Sequence, residues 1–95
     1  MSAAALQMSA KQFTVVIDAG HGGADLGAPG AYSREKDINR KVALAFGRYI
    51  EQYMPNVRTL YTRKSDVFIP LIDRANMANK NRADLFISIH TNAVP

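Results

Sequence analysis

Two histidines, one glutamate and a glycine-dense loop are the parts of this 95-residue sequence best suited to chemistry. His21 lies in the run AGHGGADLGAPG, which holds five of the six glycines. His90 closes the run DLFISIH, and Glu35 stands between the two histidines in REKD. There is no cysteine, so neither a disulfide framework nor a thiolate metal site can form, and any transition metal must be held by imidazole and carboxylate. His21 and His90 are the only histidines. Their spacing to Glu35 is far from a local HExxH pattern, so only the fold can bring the three side chains together.

His, Glu and His are the ligand types of a catalytic zinc site, in which three protein ligands leave a fourth position for water. Zinc lowers the pKa of such a water towards ~7 and polarises a carbonyl. Each residue also has a plainer reading. A lone histidine is more often a surface or satisfied side chain, and a glutamate opening a helix is favoured there by the macrodipole alone. A ligating imidazole needs an acceptor on its other nitrogen to fix its tautomer, and Asp18, Asp25 and backbone carbonyls are the candidates beside His21. Gly20, Gly22 and Gly23 are expected to permit the tight turn that aims His21.

The elements that must position these groups follow from the residue pattern. FTVVID at 13–18 is a short β-branched run that Gly20 ends, which predicts a buried strand. Residues 37–54 repeat Ile38, Val42, Ala45, Phe46, Tyr49, Ile50 and Tyr53 at spacings of three and four, the pattern of an amphipathic helix that Pro55 stops. VRTLYT at 57–62 predicts a second strand, and 63–68 a polar loop. A second helix is expected from Pro70 to about Asn81, with Leu71, Ala75 and Ala78 on one face. DLFISIH at 84–90 predicts a third strand with apolar residues on both faces.

This β-α-β-α-β order implies an α/β fold with parallel pairing and right-handed crossovers. The spatial order second–first–third, with helices on both faces, puts His21 and His90 at the carboxyl ends of neighbouring strands. Ligand crevices of open α/β sheets lie at those ends. Strands ~4.8 Å apart allow two such side chains to reach one ion. Arg63 and Asp66 are expected to pair or to cap the turn before the second helix, and Arg74 to brace that helix against a loop. Asn92 is expected to hold the loop after His90. Glu51 reads as a solvent-facing helix carboxylate, and Phe46, Tyr49, Tyr53, Met54 and Met77 as core or its rim.

Several separated motifs stand in one order: DAGHGG, REKD, TR with a following Asp, the L…R…AN helix, and SIHTN. Together they resemble the zinc-dependent N-acetylmuramoyl-L-alanine amidases of bacterial cell walls, over about residues 13–92. The resemblance implies Zn²⁺ on His21, Glu35 and His90. It implies hydrolysis of the amide between the lactyl group of N-acetylmuramic acid and the L-alanine of the stem peptide. Asp18, Gly20, Gly22, Gly23 and Asn92 are then supporting residues. The implied fold is larger, a mixed sheet of which 13–95 is a part. The family's catalytic glutamate falls beyond Pro95, so no catalytic residue is assigned within the chain, and the isolated chain is expected to be inactive. Peptidoglycan is the implied partner, with an activator protein or a further C-terminal segment as others, and the substrate implies a periplasmic or extracellular location. The rival readings are a zinc- or wall-binding fragment without turnover and a basic nucleic-acid-binding scaffold.

Composition bounds these readings. Hydrophobic residues make up 47% and charged residues 21%, a globular rather than disordered balance. No apolar run approaches the ~18 residues of a membrane span. The net charge of +4 suits an anionic partner, but Lys and Arg are scattered and not interleaved with aromatics, which argues against a nucleic-acid stripe. Residues 1–12 are small, polar and aperiodic, lack the regions of a signal peptide and read as a flexible tail or cloning remnant.

Overall fold

Strand β1, Phe13–Ala19, is the axis of the molecule. Its β-branched residues favour extended backbone, and all but Phe13 are buried, so both of its faces are covered. A computed structural model describes residues 12–27 and 34–91. Strand β2, Val57–Tyr61, and strand β3, Leu85–Ile89, lie parallel to β1 on either side, in the order β2-β1-β3. The register pairs Phe13 with Val57 and Ile17 with Tyr61 on one side, and Val15 with Leu85 and Ala19 with Ile89 on the other. The β1–β3 ladder runs one step further, where the Gly20 N–H donates to the Ile89 carbonyl at 3.0 Å. His21 and His90 therefore leave the sheet side by side.

The pleat of β1 separates two environments. Val15, Ile17 and Ala19 pack with Ala43 and Ile50 of helix α1, Glu35–Tyr53, and Phe46, Val57, Tyr61, Ile87 and Ile89 surround them. Burying Val15, Ile17 and Ile50 is worth about 1.5–3 kcal/mol each. On the other face lie Thr14, Val16 and Asp18. Helix α2, Leu71–Lys80, reaches that face through Arg74, whose guanidinium bonds Asp18. The two helices thus cover opposite faces, and the expected fold class and strand order are those observed. No helix among the described residues is long and apolar enough to cross a membrane.

The structure corrects several details. Helix α1 begins at Glu35 rather than Asp37. The Arg34 carbonyl accepts from the Asp37 and Ile38 N–H groups, and the Lys36 N–H donates to the Leu26 carbonyl, so the glycine-rich loop caps the helix from outside it. Helix α2 begins at Leu71, with Pro70 as its cap. Of the residues expected in the core or at its rim, Tyr49 and Tyr53 are mostly exposed, their rings tilted against one another with centroids 4.6 Å apart. The strand buried on both faces is β1, whereas β3 carries the exposed Leu85 and Phe86. Beside β3, Leu71, Ala75 and Ala78 of α2 line a cavity of about 380 Å³ together with Phe86. Asn92 and residues 1–11 lie outside the described residues.

Candidate metal centre

His21 enters the site on backbone held in the left-handed region, φ 64°. This is an uncommon conformation for a residue with a Cβ. The surroundings fix it. Arg74 Nη2 donates to the His21 carbonyl at 2.8 Å, and the next turn closes through two backbone bonds between Gly22 and Asp25. Gly22 and Gly23, both at positive φ, form that turn. Gly20 works differently from the expectation: it is not at positive φ, and its lack of a side chain makes room for the His90 ring, which any Cβ there would strike.

Glu35 arrives from α1 and is 2% exposed. Its Oε1 lies 3.2 Å from His21 Nε2 and its Oε2 3.3 Å from His90 Nδ1. The two imidazoles meet edge to face, with centroids 5.1 Å apart. One ligand atom from each of His21, Glu35 and His90 lies within 4.8 Å of the others, so the cluster can hold a divalent cation. A tetrahedral ion with ~2.1 Å bonds requires donors ~3.4 Å apart. The two His–Glu separations are of that size but fall on different carboxylate oxygens; with one donor atom per residue the three lie within 4.8 Å of one another. The donor set also fits zinc chemically: two neutral imidazoles and one carboxylate leave a cation to compensate a buried negative charge.

The surrounding contacts orient the three groups. Asp25 Oδ2 lies 2.9 Å from His21 Nδ1 and leaves Nε2 turned to Glu35. That hydrogen bond, with a further one from the Gly27 N–H, holds the Asp25 carboxyl below its ordinary range. Asp18 is not an acceptor for His21. It takes the Thr62 and Ser88 hydroxyls at 2.7 Å each and Arg74 Nη1 at 2.8 Å. Burial raises its pKa, but these donors together outweigh burial and lower it.

Arg63 and Asp66 do not pair with one another as expected. Arg63 is buried and donates to the carbonyls of Ala19, Gly20, Lys36 and Ser65. Asp66 instead accepts from Lys36 Nζ and the Gly23 N–H, both at 2.8 Å, which pins the glycine-rich loop to the loop after β2. Arg74 braces its helix as expected, against the carbonyls of Ala19 and His21.

Two residues at the site escaped the sequence reading. Asn39 is fully buried, and its Nδ2 donates to the Gly20 carbonyl at 3.1 Å and to Glu35 Oε2 at 3.3 Å. Thr91 donates its N–H to Glu35 Oε2 at 3.1 Å and its hydroxyl to Asn39 Oδ1 at 3.0 Å. Asn39 stands four residues after Glu35 on one helix, a spacing that puts both on one face, and this was the available signal.

Fold and site together define an α/β protein with a His–Glu–His cluster able to hold a cation at the carboxyl edge of a parallel sheet. The chain belongs to the N-acetylmuramoyl-L-alanine amidase family, which it matches over residues 15–95. It is 44% identical over 84 residues to the N-acetylmuramoyl-L-alanine amidase AmiC of Escherichia coli O6:H1, covering 87% of this chain and 20% of AmiC. To the endolysin of Bacillus phage SPP1 it is 46% identical over 86 residues, covering 85% of this chain and 30% of the endolysin. Among solved structures, the amidase AmiC2 of Nostoc punctiforme superposes with a TM-score of 0.81 at 38% identity, over 90% of this chain and 47% of that one. The catalytic domain of CwlV from Bacillus (Paenibacillus) polymyxa gives 0.82 at 38% identity, over 86% and 46%. The chain thus spans 20% and 30% of these two curated relatives and just under half of these solved chains.

Proposed function

We propose that these 95 residues are the zinc-holding part of an amidase that hydrolyses the bond between N-acetylmuramic acid and L-alanine in peptidoglycan. The observation that carries this is the convergence of His21 Nε2, Glu35 and His90 at the carboxyl edge of the sheet, in a chain of the amidase family. When bound, zinc supplies Lewis-acid polarisation of the amide carbonyl and acidifies a water. The chain's own residues do the rest of the local work. Asp25 holds the proton of His21 at Nδ1 and keeps Nε2 available as a donor atom. Arg74 fixes the backbone that carries His21, and Gly20 makes room for His90. Asp18, Gly22 and Gly23 support the loops around the ligands.

Resemblance to the family implies that the proton-transferring group is a glutamate outside this set. The sequence has two glutamates. Glu35 is enclosed in the cluster, and Glu51 lies 16 residues further along α1, about 24 Å away along the helix axis. Glu51 accepts the Tyr61 hydroxyl at 3.0 Å. A further segment or an accessory protein supplies the missing group, and a substrate in the wall places the protein in the periplasm or outside the cell. The amidase CwlD of Clostridioides difficile was solved in complex with the GerS lipoprotein, which supports an accessory protein as a partner.

The test is stem-peptide release from purified sacculi with zinc present, comparing this chain with one extended to the length of its relatives. General acid–base catalysis is worth ~10²–10⁴-fold, so the extended protein should be faster by at least that factor. Equal rates would overturn the assignment of the base to a group outside the chain. Zinc binding with no release by either protein would favour a binding module over an amidase.

A further inference from the structure

We infer that Asn39 is the positioning residue for Glu35, and that with Thr91 it forms a latch setting the carboxylate between the two imidazoles. Asn39 is 0% exposed and lies one helical turn beyond Glu35. Its amide orientation follows from its neighbours. The Gly20 carbonyl accepts only, so the atom 3.1 Å from it is the NH₂ group. The same NH₂ then faces Glu35 Oε2 at 3.3 Å. The Asn39 oxygen, turned the other way, accepts the Thr91 hydroxyl at 3.0 Å. Thr91 closes the loop by donating its own N–H to that same Glu35 oxygen at 3.1 Å.

Three elements meet in this ring: α1 through Glu35 and Asn39, the end of β1 through Gly20, and the residue after His90 through Thr91. A glutamate side chain has three rotatable bonds, and its terminal torsion is broad. Two donors on one oxygen remove that freedom. Thr91, the second donor to the Glu35 carboxylate, is joined by one peptide bond to His90, so the separation of the two ligands is fixed by the same contacts. A buried asparagine serving only to fill space would leave its polar atoms unpaired at a substantial cost. Here both ends are used, and both lead to the cluster.

The inference rests on the zinc reading for one arm of its test and is independent of it for the other. The variants are Asn39→Leu, which keeps volume without donors, Thr91→Val, which keeps shape without the hydroxyl, and Thr91→Ser, which restores it. In the zinc arm, chelator competition is expected to give about 10–100-fold weaker binding for Asn39→Leu. Thr91→Val should lose roughly 2–10-fold and Thr91→Ser should match wild type. The visible spectrum of the cobalt-loaded protein should shift in Asn39→Leu, which a loss of stability alone would not cause.

In the metal-free arm, glutamate is labelled with ¹³C at its carboxyl. Two glutamates give two resonances. The Glu35 signal should move or broaden in Asn39→Leu and Thr91→Val while Glu51 stays in place. Native zinc affinity, cobalt spectrum and Glu35 resonance in these variants would overturn the latch. Should Asn39→Leu fail to fold, the Thr91 pair decides by the same readouts. Failure of wild type to bind zinc, with the Glu35 signal still sensitive to Asn39 and Thr91, would sink the zinc reading and leave the latch standing.

Discussion

Replacing Arg74 by methionine removes the cation on which the carboxyl edge of β1 is built. Arg74 is 3% exposed and spends its donors on four acceptors: Ile69 O at 2.7 Å, Asp18 Oδ1 at 2.8 Å, Ala19 O at 2.7 Å and His21 O at 2.8 Å. Methionine keeps the unbranched apolar stem of the side chain without the guanidinium. Removing one partner of a buried ion pair costs about 3–5 kcal/mol. Asp18 retains the Thr62 and Ser88 hydroxyls, which puts the loss near the lower end, about 3 kcal/mol. Small domains have about 5–15 kcal/mol in total, so this is a large share. With a urea slope of about 1–2 kcal/mol/M, the unfolding midpoint should fall by roughly 1.5–3 M. Arg74→Lys keeps the charge but not the planar fork and should fall between.

The same experiment has a pH arm. The folded pKa of Asp18 lies below its ordinary 3.8, because the donors on it outweigh its burial. A depressed carboxyl contributes stability that is fully present above the unfolded value and is lost as pH falls through the folded one. Wild-type midpoints should therefore decline as pH drops below about 4, and Arg74→Met should decline less steeply because one of the groups holding the carboxyl down is gone. A urea midpoint within about 0.3 M of wild type would refute the reasoning on the buried pair. A large drop with unchanged pH slope would refute its electrostatic part.

Two further outcomes follow from the site. Gly20→Ala places a methyl group against the His90 ring and should weaken zinc binding by at least about 10-fold in chelator competition; native affinity would mean that the ring has room to move. Asp25→Ala removes the partner of His21 Nδ1 and should weaken zinc by about 10–100-fold while the urea midpoint stays near wild type, since Asp25 is exposed. A fallen midpoint with unchanged affinity would assign Asp25 to the loop instead of the ligand.

The sheet order was legible because β-α-β units cross over with one hand and because His21 and His90 come together only if the first and third strands are neighbours. His21, Glu35 and His90 were legible from their positions at element ends together with the family motifs. The other contacts were hidden for physical reasons. Asn39 meets Thr91 only because α1 crosses the end of β3, and no local pattern encodes that crossing. Arg63 looked like a partner for Asp66 three residues on, whereas its fork satisfies four backbone carbonyls, acceptors that every sequence has and none advertises. Asp18 was placed beside His21 by proximity in sequence, but strand alternation turns it to the face of α2, where Arg74 waits. The early start of α1 depends on a backbone cap from Leu26, which leaves no side-chain signature.

Zinc K-edge absorption of the protein loaded with one equivalent of zinc tests the central claim most directly. The expected spectrum is a single shell of nitrogen and oxygen at ~2.0–2.2 Å with outer-shell scattering from two imidazoles. Scattering from one imidazole should disappear in His90→Ala. A wild-type spectrum without imidazole scattering, or one unaffected by His90→Ala, would contradict zinc held by His21, Glu35 and His90.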